Sequence, residues 1–348
     1  MKYYYIIAVL LVVIACKKKP EPPAVPEKYE TGIVVLNEGL FEQNNASLSF
    51  YDGETAYNQV FKSENGRGLG DTANDFKTYS FGGKEYIIIA VDVSSQVEII
   101  ERKTMKSVAQ IPFFDGINAR EPRQIEVHGT RAYVCNFDGT VGVIDLITNS
   151  VVDLIEVGAN PDGLAIVNDR LYVSNSGGLH YPVYDSTMSV INLASLMVEE
   201  TFETRINCSQ MIVDDQGEIY LVSRGNYGDV SPALLRIDPI TNTVVETIEM
   251  SISSLAYDNN WMYYFNGEED AIYRYNTLTE TNEASPFMDV SSYDTFAGFI
   301  LDKTNERFFC LDANGYVNSS TVRAYNMSGE ILFEFQAGLI ANDLIFNN

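Results

Sequence analysis

Thr140-Val141-Gly142-Val143-Ile144-Asp145-Leu146-Ile147-Thr148-Asn149-Ser150-Val151-Val152 reads as two β-strands around a tight turn. Apolar residues at Val141, Val143 and Ile144 make a half-buried strand. Asp145 opens the turn, Thr148 and Asn149 supply turn chemistry, and Val151-Val152 begin the returning strand. The pattern recurs at Phe50-Tyr51-Asp52, Ile99-Ile100-Glu101, Val190-Ile191-Asn192, Arg236-Ile237-Asp238, Arg274-Tyr275-Asn276 and Ala324-Tyr325-Asn326, seven copies in all. Between the polar residues that close these triplets, with Asp145 third, the steps are 49, 44, 47, 46, 38 and 50 residues. A period of this size, with no long 3.6-residue apolar pattern inside it, is that of a β-propeller blade and not of a helical solenoid. The predicted fold is all-β, a seven-bladed β-propeller of four-stranded blades.

Residues 31–348 shared among seven units give about 45 residues each, the size of such a blade. The third unit predicts an inner strand over Gln124–Val127, then strands over Arg131–Cys135, Thr140–Ile144 and Val151–Val157. The fourth repeats the order over Gly163–Val167, Arg170–Ser174, Met188–Ile191 and Val198–Phe202. The first unit begins with its second strand, Gly32–Leu36, and the chain ends on Asn342–Phe346, an inner strand without a blade. Each end supplies what the other lacks, so the C-terminal strand is expected to complete blade one and close the ring.

Ahead of the repeats, Met1-Lys2 and an apolar run from Tyr3 to Ala15 end in Val13-Ile14-Ala15-Cys16. The run is too short for a permanent membrane span and resembles a bacterial lipoprotein signal, with residues 1–15 removed and Cys16 lipidated. Lys17-Lys18-Lys19 and the prolines at 20, 22, 23 and 26 follow. Residues 16–30 therefore read as an extended tether reaching about 3 Å per residue. The expected location is the outer membrane, lipid-anchored, at the cell surface or on the periplasmic leaflet.

The chain carries 23 Lys and Arg against 48 Asp and Glu, a formal charge of −25. A field of that sign repels nucleic acid and anionic lipid, which excludes a nucleic-acid function. Cys135, Cys208 and Cys310 show no CxxC spacing, and Cys135 and Cys310 fall inside strands of different units, so buried free thiols are expected. With only His128 and His180 in the chain, a zinc site or a His-based triad has few candidate residues, and no cofactor is expected.

In a propeller the loops between second and third strands share one face with the segments that lead into the inner strands. A polar residue follows each second strand: Asn37, Asp92, Asn136, Asn175, Arg224, Asn266 and Asp312. Turn chemistry accounts for such residues one at a time, yet as a ring they set the chemistry of one mouth. The loops are long in blade one (37–45), blade four (175–187), blade five (224–232) and blade seven (312–319). Blades seven and one are neighbours, as are four and five, so these loops are expected to raise two walls around an aromatic-lined cleft. The predicted ligand-binding set is Asn37, Glu38, Phe41, Asn136, Phe137, Asn175, Tyr181, Tyr184, Arg224, Tyr227, Asn266 and Tyr316, with no catalytic or metal-ligating residue.

Leu171–Asn175, Val141–Asp145 and Asn160–Ile166 are similar to the repeat wording of the YncE-like propellers. Leu36-Asn37-Glu38-Gly39, followed by Asn44–Asp52, resembles the start of Bacteroidetes surface-lipoprotein propellers, a group that includes the cobalamin-capturing BtuG type. The resemblance implies a non-catalytic domain that captures a nutrient such as cobalamin, a corrinoid, and passes it to a TonB-dependent transporter. Two alternatives stay open: a surface scaffold binding a glycan or a protein, and a calcium-dependent, lactonase-like enzyme using Asp92, Asn136, Asn175 and Asp312. A quinone-dependent dehydrogenase is disfavoured by the single tryptophan, Trp261, since such propellers carry several for blade docking.

Overall fold

The computed structural model describes residues 29–347; the expected signal peptide, Cys16 and nearly all of the expected tether lie outside the described residues. Seven sheets of four main strands stand around a central axis. Their innermost strands are Ala341–Asn347, Ala73–Phe81, Pro122–His128, Pro161–Val167, Cys208–Val213, Ser254–Asp258 and Phe296–Asp302, for blades one to seven in turn. This is the seven-bladed propeller expected from the repeat.

The reason the chain adopts it is visible in blade three. Its second strand, Arg131–Asn136, is buried on both faces. Ala132 and Val134 join the core shared with blade two, while Tyr133 and Cys135 join the core shared with blade four. Alternate side chains of one strand therefore feed two different cores, so each blade needs a neighbour on either side and only a closed ring satisfies all of them. Cys135, Cys208 and Cys310 are buried and unpaired.

The repeated polar residue has a local cause. Asp145 Oδ1 accepts hydrogen bonds from the Ile147 and Thr148 amides (2.8 and 2.9 Å), and Asn149 takes the left-handed backbone (φ 52°). Asp52, Asn192, Asp238, Asn276 and Asn326 cap their own turns in the same way. Glu101 departs from this pattern, its carboxylate taking the Thr104 hydroxyl instead.

Ring closure pairs Gly32–Asn37 with Ala341–Asn347, antiparallel, from Gly32 opposite Asn347 to Asn37 opposite Ala341. Two outer strands are cut short. Blade one keeps only Ala56–Tyr57 and covers its flank with the short helix Val60–Asn65, which buries Val60 and Phe61. Blade six splits its outer strand into Thr281–Asn282 and Met288–Asp289 on either side of Pro286, which has no amide to donate to the ladder.

Candidate functional site

The loop face is built by backbone irregularity at the start of the inner strands. A register shift occurs there in blades two, three, four, five and seven, and at the Asn37 end of the blade-one pairing. Each bulge frees a residue from the ladder. Asn74, Arg123, Asp162, Gln210, Ala297 and Asn342 stand at these shifts and line a central cavity of about 860 Å³.

The cavity wall is mixed, with Asp162, Arg224 and Lys303 among the residues from blades four to seven and most of the charge on blades one to three. Blades one to three contribute Asp343, Asp75, Lys77, Arg123 and Glu126, and blades four to seven add the apolar Leu164, Ile166, Ile212, Leu255 and Ile300. At its mouth Arg123 Nη1 lies 2.8 Å from Asp92 Oδ2, which also accepts from Asn74 Nδ2 (2.8 Å). Asp162 sits between two arginines, with Oδ2 2.7 Å from Arg224 Nη1 and Oδ1 3.5 Å from Arg123 Nε. The Arg123 guanidinium also stacks 4.4 Å from the centroid of Phe137. Burial pushes the Glu38 carboxyl up, Arg123 opposes the shift and Asp92 adds to it.

Deeper in the cavity, Lys77 Nζ lies 2.7 Å from Asp75 Oδ1, while Asp75 Oδ2 accepts the Ile125 amide (2.8 Å). Burial pushes the Glu126 carboxyl up to about 7 and the Asp343 carboxyl up to about 6; Lys77 opposes both shifts and Asp75 reinforces both. At Glu126 and Asp343 the folded chain therefore holds more protons than the unfolded one between about pH 4 and pH 7, and the stability these two groups contribute falls as pH rises through that window. Asp145 and Asp238, held low by backbone amides of their turns, act in the opposite sense at the acid end of the window and below it. The urea midpoint is expected to be higher at pH 5 than at pH 8, with a shallower slope and a higher pH 8 midpoint in Glu126→Gln. An identical slope in the variant would remove Glu126 as its source.

A second concavity of about 690 Å³ lies beside the mouth, between a hairpin (Phe114–Asp115 with Asn118–Ala119), the Phe137–Thr140 segment, the Glu156–Asn160 segment and His180. Phe137 lines this groove and Arg123 the central cavity, so their stacked pair forms the sill between the two.

The structure separates the residues expected from sequence into groups. Asn37, Asn136 and Asn175 are fully buried and line neither cavity. Asn37 Nδ2 donates to Ser49 Oγ (2.9 Å) and its Oδ1 accepts the Gly338 amide of blade seven (2.9 Å). A Cβ at Gly338 would stand 2.7 Å from Asn37 Cγ, so the close approach requires glycine. Asn175 Nδ2 donates to Thr187 and Ser189, and Asn136 Nδ2 to Thr140. These amides fasten strands and blades. Asn266 closes its own turn through Glu268 and Glu269.

Glu38 and Arg224 line the central cavity and Phe137 the groove. Tyr181 and Tyr184 meet edge to face at 6.2 Å, and desolvation with the nearby Tyr227 and Tyr181 phenols pushes the Tyr184 hydroxyl up. These three tyrosines thus gather where blades four and five meet. Phe41, Tyr181, Tyr227 and Tyr316 are at least half exposed. The Phe41 loop is tied down by Asp71, which accepts the Glu42 and Asn44 amides (3.1 and 2.6 Å).

The four residues of the calcium alternative are not assembled. Asn136 and Asn175 are enclosed in their blades, Asp312 pairs with Arg323, and Asp92 with Arg123. Among the described residues no group of three or more His, Cys, Asp or Glu side chains is placed to hold a metal ion.

Sequence reasoning missed Arg123, Asp162, Asn74 and Asp343. Their signal was a charged or amide side chain at the start of an otherwise apolar inner strand, as in Pro122-Arg123 and Pro161-Asp162.

Residues 31–318 match the family described as Domain of unknown function (DUF5074). The chain belongs to the DUF5074 family. No curated protein matches its sequence. Among solved structures it is similar to a quinonprotein alcohol dehydrogenase-like protein of Bacteroides thetaiotaomicron, with TM-score 0.64 and 17% identity over 92% of this chain and 79% of that one. It is also similar to hydrazine synthase of Kuenenia stuttgartiensis (TM-score 0.57, 17% identity, 70% and 73% covered). The Pan2 WD40 domain of Neurospora crassa gives TM-score 0.57 at 9% identity, with 79% and 81% covered. At these identities the likenesses show the fold alone.

Proposed function

We propose that this DUF5074 propeller is a non-catalytic binding protein whose loop face captures a large polar ligand, and that the ligand is a corrinoid such as cobalamin. The observation that carries the reading is the mouth of the central cavity. Arg123, Arg224, Asp162, Asp92 and Asn74 form a preorganised array of donors and acceptors there. Exposed rings stand on the loops of blades one, four, five and seven. A corrinoid offers a broad apolar macrocycle for such rings and a fringe of amides for such an array.

The position of Tyr29, where the described residues begin, supports an outward-facing role. Tyr29 donates its amide to Lys103 O and accepts Asn347 Nδ2 through its carbonyl, both on the face opposite the loops. Lipidation at Cys16 would then leave the loop face directed away from the membrane, open to ligand and to a TonB-dependent transporter.

Titration calorimetry of the intact chain with cyanocobalamin tests the reading. The expected result is saturable one-to-one binding that the double substitution Tyr181→Ala with Tyr227→Ala weakens at least tenfold, about 1.4 kcal/mol. Absence of heat, or affinity untouched by the double substitution, would sink the corrinoid assignment.

A further inference from the structure

The geometry points to a second, separate binding site on the same face: the groove between blades three and four takes an uncharged oligosaccharide, with one pyranose ring seated on Phe137. Phe137 is partly exposed, lines the groove, and has its other side covered by the Arg123 guanidinium, so its ring is held rigid as a platform. A pyranose has one face of C–H groups that packs on an aromatic ring, while its hydroxyls each need a donor and an acceptor at the ring edge.

Those edge groups are present. Arg120 is fixed by an ion pair with Asp138 and lies 3.9 Å from Asp115, with its side chain only 14% exposed. Asn118 and Glu156 line the same groove. Carboxylates, an amide and a guanidinium lining the same groove as Phe137 offer both donors and acceptors to sugar hydroxyls. The volume, about 690 Å³, falls within the usual range of small-molecule sites and leaves room for more than one sugar ring.

Charge selects the class. Asp115, Asp138 and Glu156 line the groove together with His180 and with the Arg120 guanidinium, which is already paired with Asp138. A uronate or sulfate would be repelled, so acidic sugars are excluded. The site does not rest on the corrinoid reading, because it uses the groove and not the central cavity; failure of cobalamin to bind leaves it standing.

Saturation-transfer NMR and calorimetry of the intact chain with maltotriose, cellotriose and mannotriose, beside trigalacturonate, test the proposal. At least one neutral trisaccharide is expected to bind and trigalacturonate to bind at least tenfold more weakly. Phe137→Leu, similar in bulk but without the flat ring, should lower affinity at least tenfold, whereas Phe137→Tyr should retain it. Thermal melts of both variants separate loss of the platform from loss of the fold. The proposal is overturned by silence from all three neutral sugars at millimolar concentration, by equal binding of trigalacturonate, or by unchanged affinity in a folded Phe137→Leu protein.

Discussion

Removal of residues 341–348 is expected to abolish the cooperative unfolding transition of the whole propeller. Those residues form the innermost strand of blade one, and their ladder with Gly32–Asn37 is the seam at which the ring is closed. Ala341 and Leu344 belong to the core shared by blades seven and one, with Ile33, Val35 and Phe309. Phe346 packs 5.2 Å from the Phe309 ring. Deletion exposes one edge of a strand buried on both faces and opens that core to water. Each large side chain so exposed costs about 1.5–3 kcal/mol, and several together approach the 5–15 kcal/mol that holds a typical domain folded.

The seam also carries long-range polar ties. Asn342 Nδ2 donates to Asn74 O, Asn347 Nδ2 to Tyr29 O, and the Arg102 guanidinium grips Asn347 Oδ1 and the Phe346 carbonyl. Their loss leaves buried donors and acceptors unpaired, an additional cost. Circular dichroism with urea titration reads the result. A truncated chain that unfolds cooperatively at the full-length midpoint would show that the ring does not depend on this closure.

Arg123→Ala is expected to destabilise the protein by about 2–4 kcal/mol and to lower its melting temperature by several degrees. The side chains of Asp92 and Asp162 are 9% and 6% exposed, and both lean on Arg123, itself 26% exposed. Truncation leaves Asp92 with only Asn74 and the backbone for company, and removes the guanidinium stacked on Phe137. Most of the cost is the stranded carboxylate and not a lost attraction. Adding Asp92→Asn to Arg123→Ala should therefore recover part of the stability, a coupling that a double-mutant cycle in urea measures. Arg123→Lys keeps the charge but not the planar stack, and should fall between the two. A loss below about 0.5 kcal/mol for Arg123→Ala would mean that water already carries the charges at the mouth.

Much of the fold was legible in the chain because its cause is local. In every blade but the second, an Asp or Asn at the end of the third strand caps a turn within three residues of itself, so Asp145 and its counterparts mark the repeat without reference to the rest of the molecule. The incomplete first unit and the spare last strand foretold the closure for the same reason. The short helix Val60–Asn65 was not foreseen: it replaces most of an outer strand, and its six residues carry too little pattern to read.

The site was less legible. Asn37, Asn136 and Asn175 look alike in sequence whether they face a ligand or a neighbouring blade. Only the approach of Gly338 to Asn37 and of Gly158 to Asn175 shows that these amides are enclosed. Arg123, Asp162 and Asp343 sit in inner strands, where an apolar residue is the default expectation, and bulges in the ladder accompany their place on the channel wall.

By itself the sequence determined the number of blades, the order of strands within each and the way the ring closes, since these follow from turn capping and from the alternation of apolar residues over a few positions. The tertiary structure alone decided which polar side chains meet. Arg123 and Asp162 stand on different blades, as do Lys77 and Asp343, and their encounters at the axis depend on how seven twisted sheets pack, a relation that no stretch of chain encodes locally.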